Sequence, residues 1–470
     1  MRTTGDRLPA VKSSTNTSIS GKACHGDKTK WGQARGPAPS EKMVGTSPTN
    51  NGGDNYMPTL TQARAARVVT RSKLDFDAVH DPRAYRSPEQ QPLAAILTTL
   101  VAAFAAGKMV LRSIEDFSAD MDKRIRRQIG LKGRVSDTTQ YEILVRTRPE
   151  GLREALWGQL RKDIDSKAIT NDLLSEGVIT YDGKGAGSKL GEPPNELCRG
   201  SVCDSEGTAF WDLFILRSCL TSSSTRVCID QEVIAAKSGE ATTFPSMLER
   251  DVKQFPRLFR YVTGDAGLAS QTNAQKVLEL NKLYLFQIKG NFGRLYPLAQ
   301  RLLDSSPVIA ETTERSQGCQ VRRELRRVEV PKQVSFPGAT QILGVSQIRS
   351  KSDGTFETED RVFITAVPWQ QLSPAKLLKL VRLHWGIENG ANWTADMIFQ
   401  EDSRSPCYQG YGPIVVSWLL LLAYNIVAVF RAHLPLKDLR PERWERAREL
   451  IYQAFLGLGI ERLRRPVPIV

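Results

Sequence analysis

The feature that most limits what this chain can fold into is a change of periodicity at Gly177. Upstream, from about 90 to 170, apolar residues recur at helical spacing, and LAAILTTLVAAFAAGKMV is apolar around most of its circumference, as in a helix buried in a bundle. Downstream the chain reads as short β-branched runs. GVITYDGKG ends at Asp182, and GTAFWDLFILRSCL and RVCIDQEVI follow. A helix in SMLERDVKQFPRLF separates these from FRYVTGDAG, which ends at Asp265, and from LYLFQIKGN, which breaks at Gly290. Strands alternating with helices imply a mixed α/β sheet with flanking helices. From 311 to 368 the pattern is strand-like without a helix, a β-rich insertion with a turn at Asp353-Gly354. Ser373 as N-cap and Pro374 at the first helical position then open a helix through LLKLVRLHWGIENGANWTADMIF.

This pattern divides the chain into a leader (1–60), a helical region (90–170), the first part of an α/β core (175–310), the β-rich insertion (311–368), the last part of the core (373–435) and a basic tail (436–470). The leader is rich in Ser, Thr, Gly, Pro and Asn and is expected to be disordered, because it cannot bury enough surface to offset its ordering entropy. Within the helical region, Ser113 is expected to cap one helix and Ser136 or Asp137 another, with KRIRRQIGLKGR between them. Arg124, Arg126 and Arg127 make this stretch a candidate DNA contact. Spacing alone does not separate a helix-turn-helix reader from a helical bundle with a solvated basic face.

Charge supports a polyanionic partner. The chain holds 65 Lys and Arg against 51 Asp and Glu, a net charge of +14, which points to nucleic acid before an anionic membrane. Seven cysteines without a C-x-x-C pair, and only four histidines, give no support to a zinc finger or a disulfide-stapled secreted domain. The thiols are expected to be free in a reducing cytoplasm. No secretory signal is visible at the polar N-terminus. Between Arg404 and Arg431 no charged residue occurs, but the densest part, Ile414 to Phe430, is short for a membrane span, which needs about 20 apolar residues. A buried core helix is expected there.

Three carboxylates stand out. Asp182 and Asp265 each sit at the end of an expected strand beside glycine, and Glu388 lies in the last long helix with His384, Trp385, Ala391 and Asn392 on its face. Acids gathered by an α/β sheet can hold two Mg²⁺ ions, each taking one or two carboxylates and keeping its waters. Such a pair can activate a water or 3′-hydroxyl against a phosphodiester. Lys184 and Lys289 are placed to meet phosphates, and His384 to contact a scissile phosphate. Among 51 acids, however, many triples can be drawn, an Asp-Gly is commonly a turn, and a helical His commonly packs. Gly386 and Gly390 bracket Glu388 and imply that something approaches this backbone closely.

Taken in order, these segments resemble DDE-type insertion-sequence transposases. IEDF, IRRQIGL and VSDTTQYEIL look like the family's N-terminal helical region, and YDGKG like its first-aspartate motif. KSGEATTFPSML and VTGDAGLAS resemble the stretch around the second aspartate, YLFQIKGN the following strand, and HWGIEN with NWTADMIFQEDSR the glutamate helix. AYNIVAVFR looks like the helix that closes the core. The resemblance covers roughly 90 to 435 and implies an RNase H-like core in which Asp182, Asp265 and Glu388 are catalytic and bind two Mg²⁺ ions, with Mn²⁺ able to substitute. Departures are specific. Ser316-Gln317-Gly318-Cys319 stands where relatives have His-Gly-Arg, and Ala391-Asn392 where they have Leu-His. Asp396 fits a downstream family aspartate. Val381 and His384 occupy the positions of the Tyr and Arg of hairpin-forming variants, so no hairpin intermediate is carried over.

The resemblance implies an enzyme acting on double-stranded DNA, both element ends and target, as a homodimer and away from membranes, in the cytoplasm and on the nucleoid if the host is bacterial. Arg382 joins Lys184, Lys289, His384 and the Arg124 cluster as expected DNA contacts. The rivals are a decayed or repurposed transposase that only binds DNA, a host nuclease on the same fold, and a membrane-associated protein.

Overall fold

The computed structural model describes residues 74–83, 87, 89–202, 207–234, 239–316, 318–351, 354–434 and 444–458. The expected leader, and the tail apart from 444–458, lie outside the described residues. Five helices come first: α1 (Leu93–Ala105), α2 (Leu111–Asp120), α3 (Lys123–Ile129), α4 (Asp137–Arg146) and α5 (Leu152–Asp165). Nearly every side chain of α1 is buried, as its all-round apolar pattern requires. The α3 helix is capped at its start by the Asp122 carboxylate, which accepts from the Arg124 N–H, and stops at Gly130 in the left-handed region (φ 78°). Ser136 caps α4 by accepting from the Thr139 N–H. The cap expected at Ser113 is corrected. The cap lies three residues earlier, at Val110, and the Ser113 hydroxyl donates back to the Val110 carbonyl at 2.7 Å.

The sheet carries strands β1 (Val178–Leu190), β2 (Arg199–Val202), β3 (Ala209–Leu220), β4 (Cys228–Val233), β5 (Tyr261–Gly264), β6 (Leu283–Ile288), β7 (Val308–Ser316), β8 (Cys319–Glu329), β9 (Gln341–Ser350) and β10 (Phe356–Thr365). Their order is β2-β3-β1-β5-β6-β10-β9-β8-β7, with β4 paired to β3. Strands β1 and β4 are each antiparallel to β3, whereas β5 and β6 run parallel to β1. This is the mixed α/β arrangement expected of an RNase H-like sheet. The β-rich segment is not set apart from it, because Val362–Thr365 of β10 pair with Ile288–Leu285 of β6 and continue the same sheet.

Helices α6 (Glu240–Gln254), α7 (Gln271–Glu279) and α8 (Leu295–Asp304) flank the strands. The Ser373-Pro374 start opens α9 (Pro374–His384), with the Ser373 hydroxyl accepting from the Lys376 N–H. The single long helix expected here is corrected to three pieces: α9, a wider π-helical turn at Ile387–Asn392, and α10 (Trp393–Met397). The charge-free run becomes α11 (Gly412–Ala432), followed by α12 (Trp444–Phe455). By length and composition α11 can cross a membrane, but 94% of its apolar window is buried inside the protein. It packs on α1 and on β4, and Asn425 bonds both the N–H and the C=O of Cys228 at 2.8 Å. Each fully buried Leu or Val on it contributes roughly 1.5–3 kcal/mol, which makes α11 the pillar joining the helical region to the sheet. Cys198, Cys219, Cys228, Cys319 and Cys407 are free thiols.

Candidate active site

Asp182 lies on β1, although not at its end. The strand runs on to Leu190 through an irregularity between Gly185 and Ser188, so the expected strand end is corrected to mid-strand. Asp265 follows directly on β5, and its Oδ1 accepts from the N–H groups of Gly267 (2.9 Å) and Leu268 (3.2 Å), which fixes the carboxylate at the mouth of the sheet. Glu388 is exposed on the π-helical turn. Three elements distant in sequence thus bring Asp182, Asp265 and Glu388 to the lining of one cleft.

Electrostatics ties the three together. The Asp182 carboxyl is raised from its ordinary 3.8 to about 7, first by burial and then by the charges of Asp265 and Glu388. Its side-chain partner is neutral: Asn392 Nδ2 donates to Asp182 Oδ2 at 2.8 Å. A fourth carboxylate, Glu240 at the start of α6, adds to the field and is itself raised by burial and by Asp265. Glu240 also lies close against the glycine of the Asp-Gly pair. A Cβ at position 183 would come 2.1 Å from Glu240 Oε1.

Among the described residues, no three acids, histidines or cysteines are already drawn close enough to share one ion. The donor set still suits hard cations such as Mg²⁺, which take one or two carboxylates each and keep their waters. Like charges without a paired cation are the condition such ions relieve.

Two of the expected contacts, Lys184 and His384, are engaged within the protein. Lys184 is not directed to phosphate: it is 7% exposed, and its Nζ donates to Asp396 at 2.5 Å and to Glu401 at 2.7 Å. Glu401 also takes two bonds from buried Arg217, at 2.7 and 3.1 Å, and one from the Ser417 hydroxyl. Burial opposes its ionisation, but the Arg217 and Lys184 charges prevail and lower its carboxyl to about 2. His384 lines the cleft yet is buried, sharing a hydrogen bond with Thr263 Oγ1 at 2.7 Å and packing edge-on against Phe363. Burial, with the Arg361 and Lys289 charges, lowers its pKa to about 3, so the ring is neutral.

Lys289 is exposed on the cleft lining. Arg382 lies in an adjoining groove with Arg226, Arg323, Arg349 and Arg361, which meets the acid cleft at Glu388 and Trp393. Arg382 and Arg323 both bond Glu314 at 2.7 Å. Arg124, Arg126 and Arg127 sit on α3 and line neither the cleft nor the groove. The close approach expected at the two glycines is present and comes from protein. A Cβ at Gly386 would lie 3.0 Å from the Thr221 side chain, and one at Gly390 2.8 Å from the Arg226 guanidinium. Glu240, Glu401 and the groove residues Arg226, Arg349 and Arg361 escaped the sequence reading. The only hint was the run of motifs in which Glu240 and Glu401 fall.

Comparison with known proteins agrees with the resemblance read from the motifs. Residues 211–426 match the family model described as "Transposase DDE domain", a span that holds Asp265 and Glu388 and begins beyond Asp182. The chain is 27% identical over 220 residues to the protein YbfL of Escherichia coli (strain K12), covering 42% of this chain and 55% of that one. It is 26% identical over 220 residues, with the same coverage, to YhhI of the same organism, described as an H repeat-associated transposase. It therefore spans about half the length of the curated relatives it matches. Among solved structures, the piggyBac transposase synaptic complex with hairpin DNA aligns with a TM-score of 0.37 and 12% identity, covering 88% of this chain and 83% of that one.

Proposed function

We propose that this chain is a DNA transposase that cleaves phosphodiesters at the ends of a mobile element and joins the freed 3′-ends to target DNA. The observation that carries the reading is the convergence of Asp182, Asp265 and Glu388 on one cleft, with an arginine-lined groove opening at Glu388. The acids would hold two Mg²⁺ ions. When bound, such ions neutralise charge at the phosphodiester and acidify the attacking water or hydroxyl. The chain's own residues do the rest. Arg226, Arg349 and Arg361 receive phosphates along the groove, and Lys289 meets the strand entering the cleft. Asn392 orients Asp182, and Glu401 keeps Lys184 and Arg217 from neutralising the acids. The α3 arginines are a second, separate contact for element ends, and two ends held together imply two copies of the chain.

The test is cleavage and joining of a duplex carrying the inverted repeats that flank the gene, in Mg²⁺, by the intact chain and by Asp182→Asn, Asp265→Asn and Glu388→Gln. Loss of both reactions in each variant, with DNA binding kept, supports the reading. Binding of the ends by the unaltered chain without Mg²⁺-dependent nicking would instead identify a repurposed DNA-binding protein.

A further inference from the structure

Asn392 does more than fill space beside the acids. It stands one residue before Trp393 at the end of the π-helical turn. The amide nitrogen donates to Asp182 Oδ2 at 2.8 Å, which leaves Oδ1 turned away from that carboxylate. The side chain is 6% exposed, and Oδ1 is buried with no hydrogen-bond partner. Of the described residues that line the acid cleft, Asn392 alone carries such an unpartnered acceptor. A buried carbonyl oxygen without a donor is unfavourable unless something else satisfies it. A hard, oxygen-seeking cation or one of its waters does so.

We propose that Asn392 completes the cation site: Nδ2 holds Asp182 in one orientation while Oδ1 offers a divalent cation, directly or through one of its waters, a neutral oxygen donor. The inference rests on the reading of the three acids as cation ligands. A neutral oxygen here adds a ligand without adding a fifth negative charge to Asp182, Asp265, Glu388 and Glu240. It is also a harder donor than imidazole, and so suits Mg²⁺ over transition metals.

The test measures cation uptake by the full chain without DNA, by calorimetric titration with MgCl₂ and by the melting temperature with and without Mg²⁺. Asn392→Leu is expected to bind Mg²⁺ about 10- to 100-fold more weakly, with Asp182→Asn as the reference for a lost ligand. Asn392→Asp keeps an oxygen and adds a charge. It is expected to hold or raise Mg²⁺ affinity while melting lower than the unaltered chain in chelator. Asn392→His is expected to shift preference from Mg²⁺ toward Mn²⁺. If Asn392→Leu binds Mg²⁺ as tightly as the unaltered chain while Asp182→Asn does not, the role of Asn392 is overturned and the acids keep theirs. Should Asn392→Leu fail to fold, Asn392→Asp decides, a tenfold loss of affinity overturning the proposal. No uptake by the unaltered chain would overturn both readings.

Discussion

Asp182 and Arg217 face one another across the β1–β3 ladder, yet the guanidinium is bonded to Glu401 and Gln231. The nearest strand neighbour that could neutralise Asp182 is thus engaged elsewhere, by a carboxylate 184 residues away in sequence. A second acid beneath the cleft, Glu401, thus engages both Lys184 and Arg217 and holds them off Asp182.

That charge makes stability depend on pH. The Asp182 carboxyl is raised to about 7, so between its ordinary 3.8 and 7 the folded chain binds more protons than the unfolded chain. In chelator, stability is therefore greatest below the ordinary carboxyl pKa and falls as pH rises to about 7, by at most about 4 kcal/mol from this group. Urea denaturation from pH 4 to 8 is expected to show the fall. Asp182→Asn should flatten it.

Glu401 has the opposite sign. Its carboxyl is lowered to about 2, so the stability it contributes is present above the ordinary carboxyl range and lost as pH drops toward 2. Glu401→Leu leaves Lys184 without one of its two carboxylates and Arg217 without its only ion-pair partner among the described residues. A loss of about 3–5 kcal/mol is expected in denaturant titration. A loss below about 1 kcal/mol would show that the cluster contributes little.

The groove makes a prediction about salt. Replacing Arg349 or Arg226 by Ala should weaken duplex binding across sequences, and each should reduce the steepness of log K against log [salt] by about 1. Fluorescence anisotropy over a KCl series reads both quantities. Unchanged slopes would remove the groove from the DNA path.

Gly183 and Glu240 should behave as a coupled pair. Gly183→Ala drives a methyl into the Glu240 carboxylate and is expected to cost about 1–3 kcal/mol. In the Glu240→Ala background most of that cost should vanish, an interaction that a double-mutant cycle measures directly. Additive effects would mean that Glu240 simply turns aside.

Sequence reasoning reached the elements whose signals are local. The Ser373-Pro374 start, the short buried strand that leads into Asp265 and the apolar α11 helix each follow from residues within a few positions of one another. The three acids were legible as candidates because each sits in a short motif. What escaped depends on partners far apart in the chain. Lys184 looks like a phosphate contact until Glu401, 217 residues on, appears beside it. His384 looks like a contact for the scissile phosphate until Thr263 and Phe363 enclose it. The glycines on either side of Glu388 have a tertiary reason as well, since Thr221 and Arg226 occupy the space that side chains at 386 and 390 would need.

The junction between β6 and β10 has a mechanical side. Strand β10 is flanked on both sides only from Val362 to Thr365, and from Phe356 to Arg361 it has β9 alone as neighbour. Bending of a ribbon concentrates where it leaves the wider sheet, so the natural pivot for the β8–β9–β10 hairpins lies between Arg361 and Val362. Rotation about that point would move Arg323 and Arg349, on β8 and β9, relative to Glu388, while Asp182 and Asp265 belong to the wide part. Arg361, beside that pivot, lines both hollows.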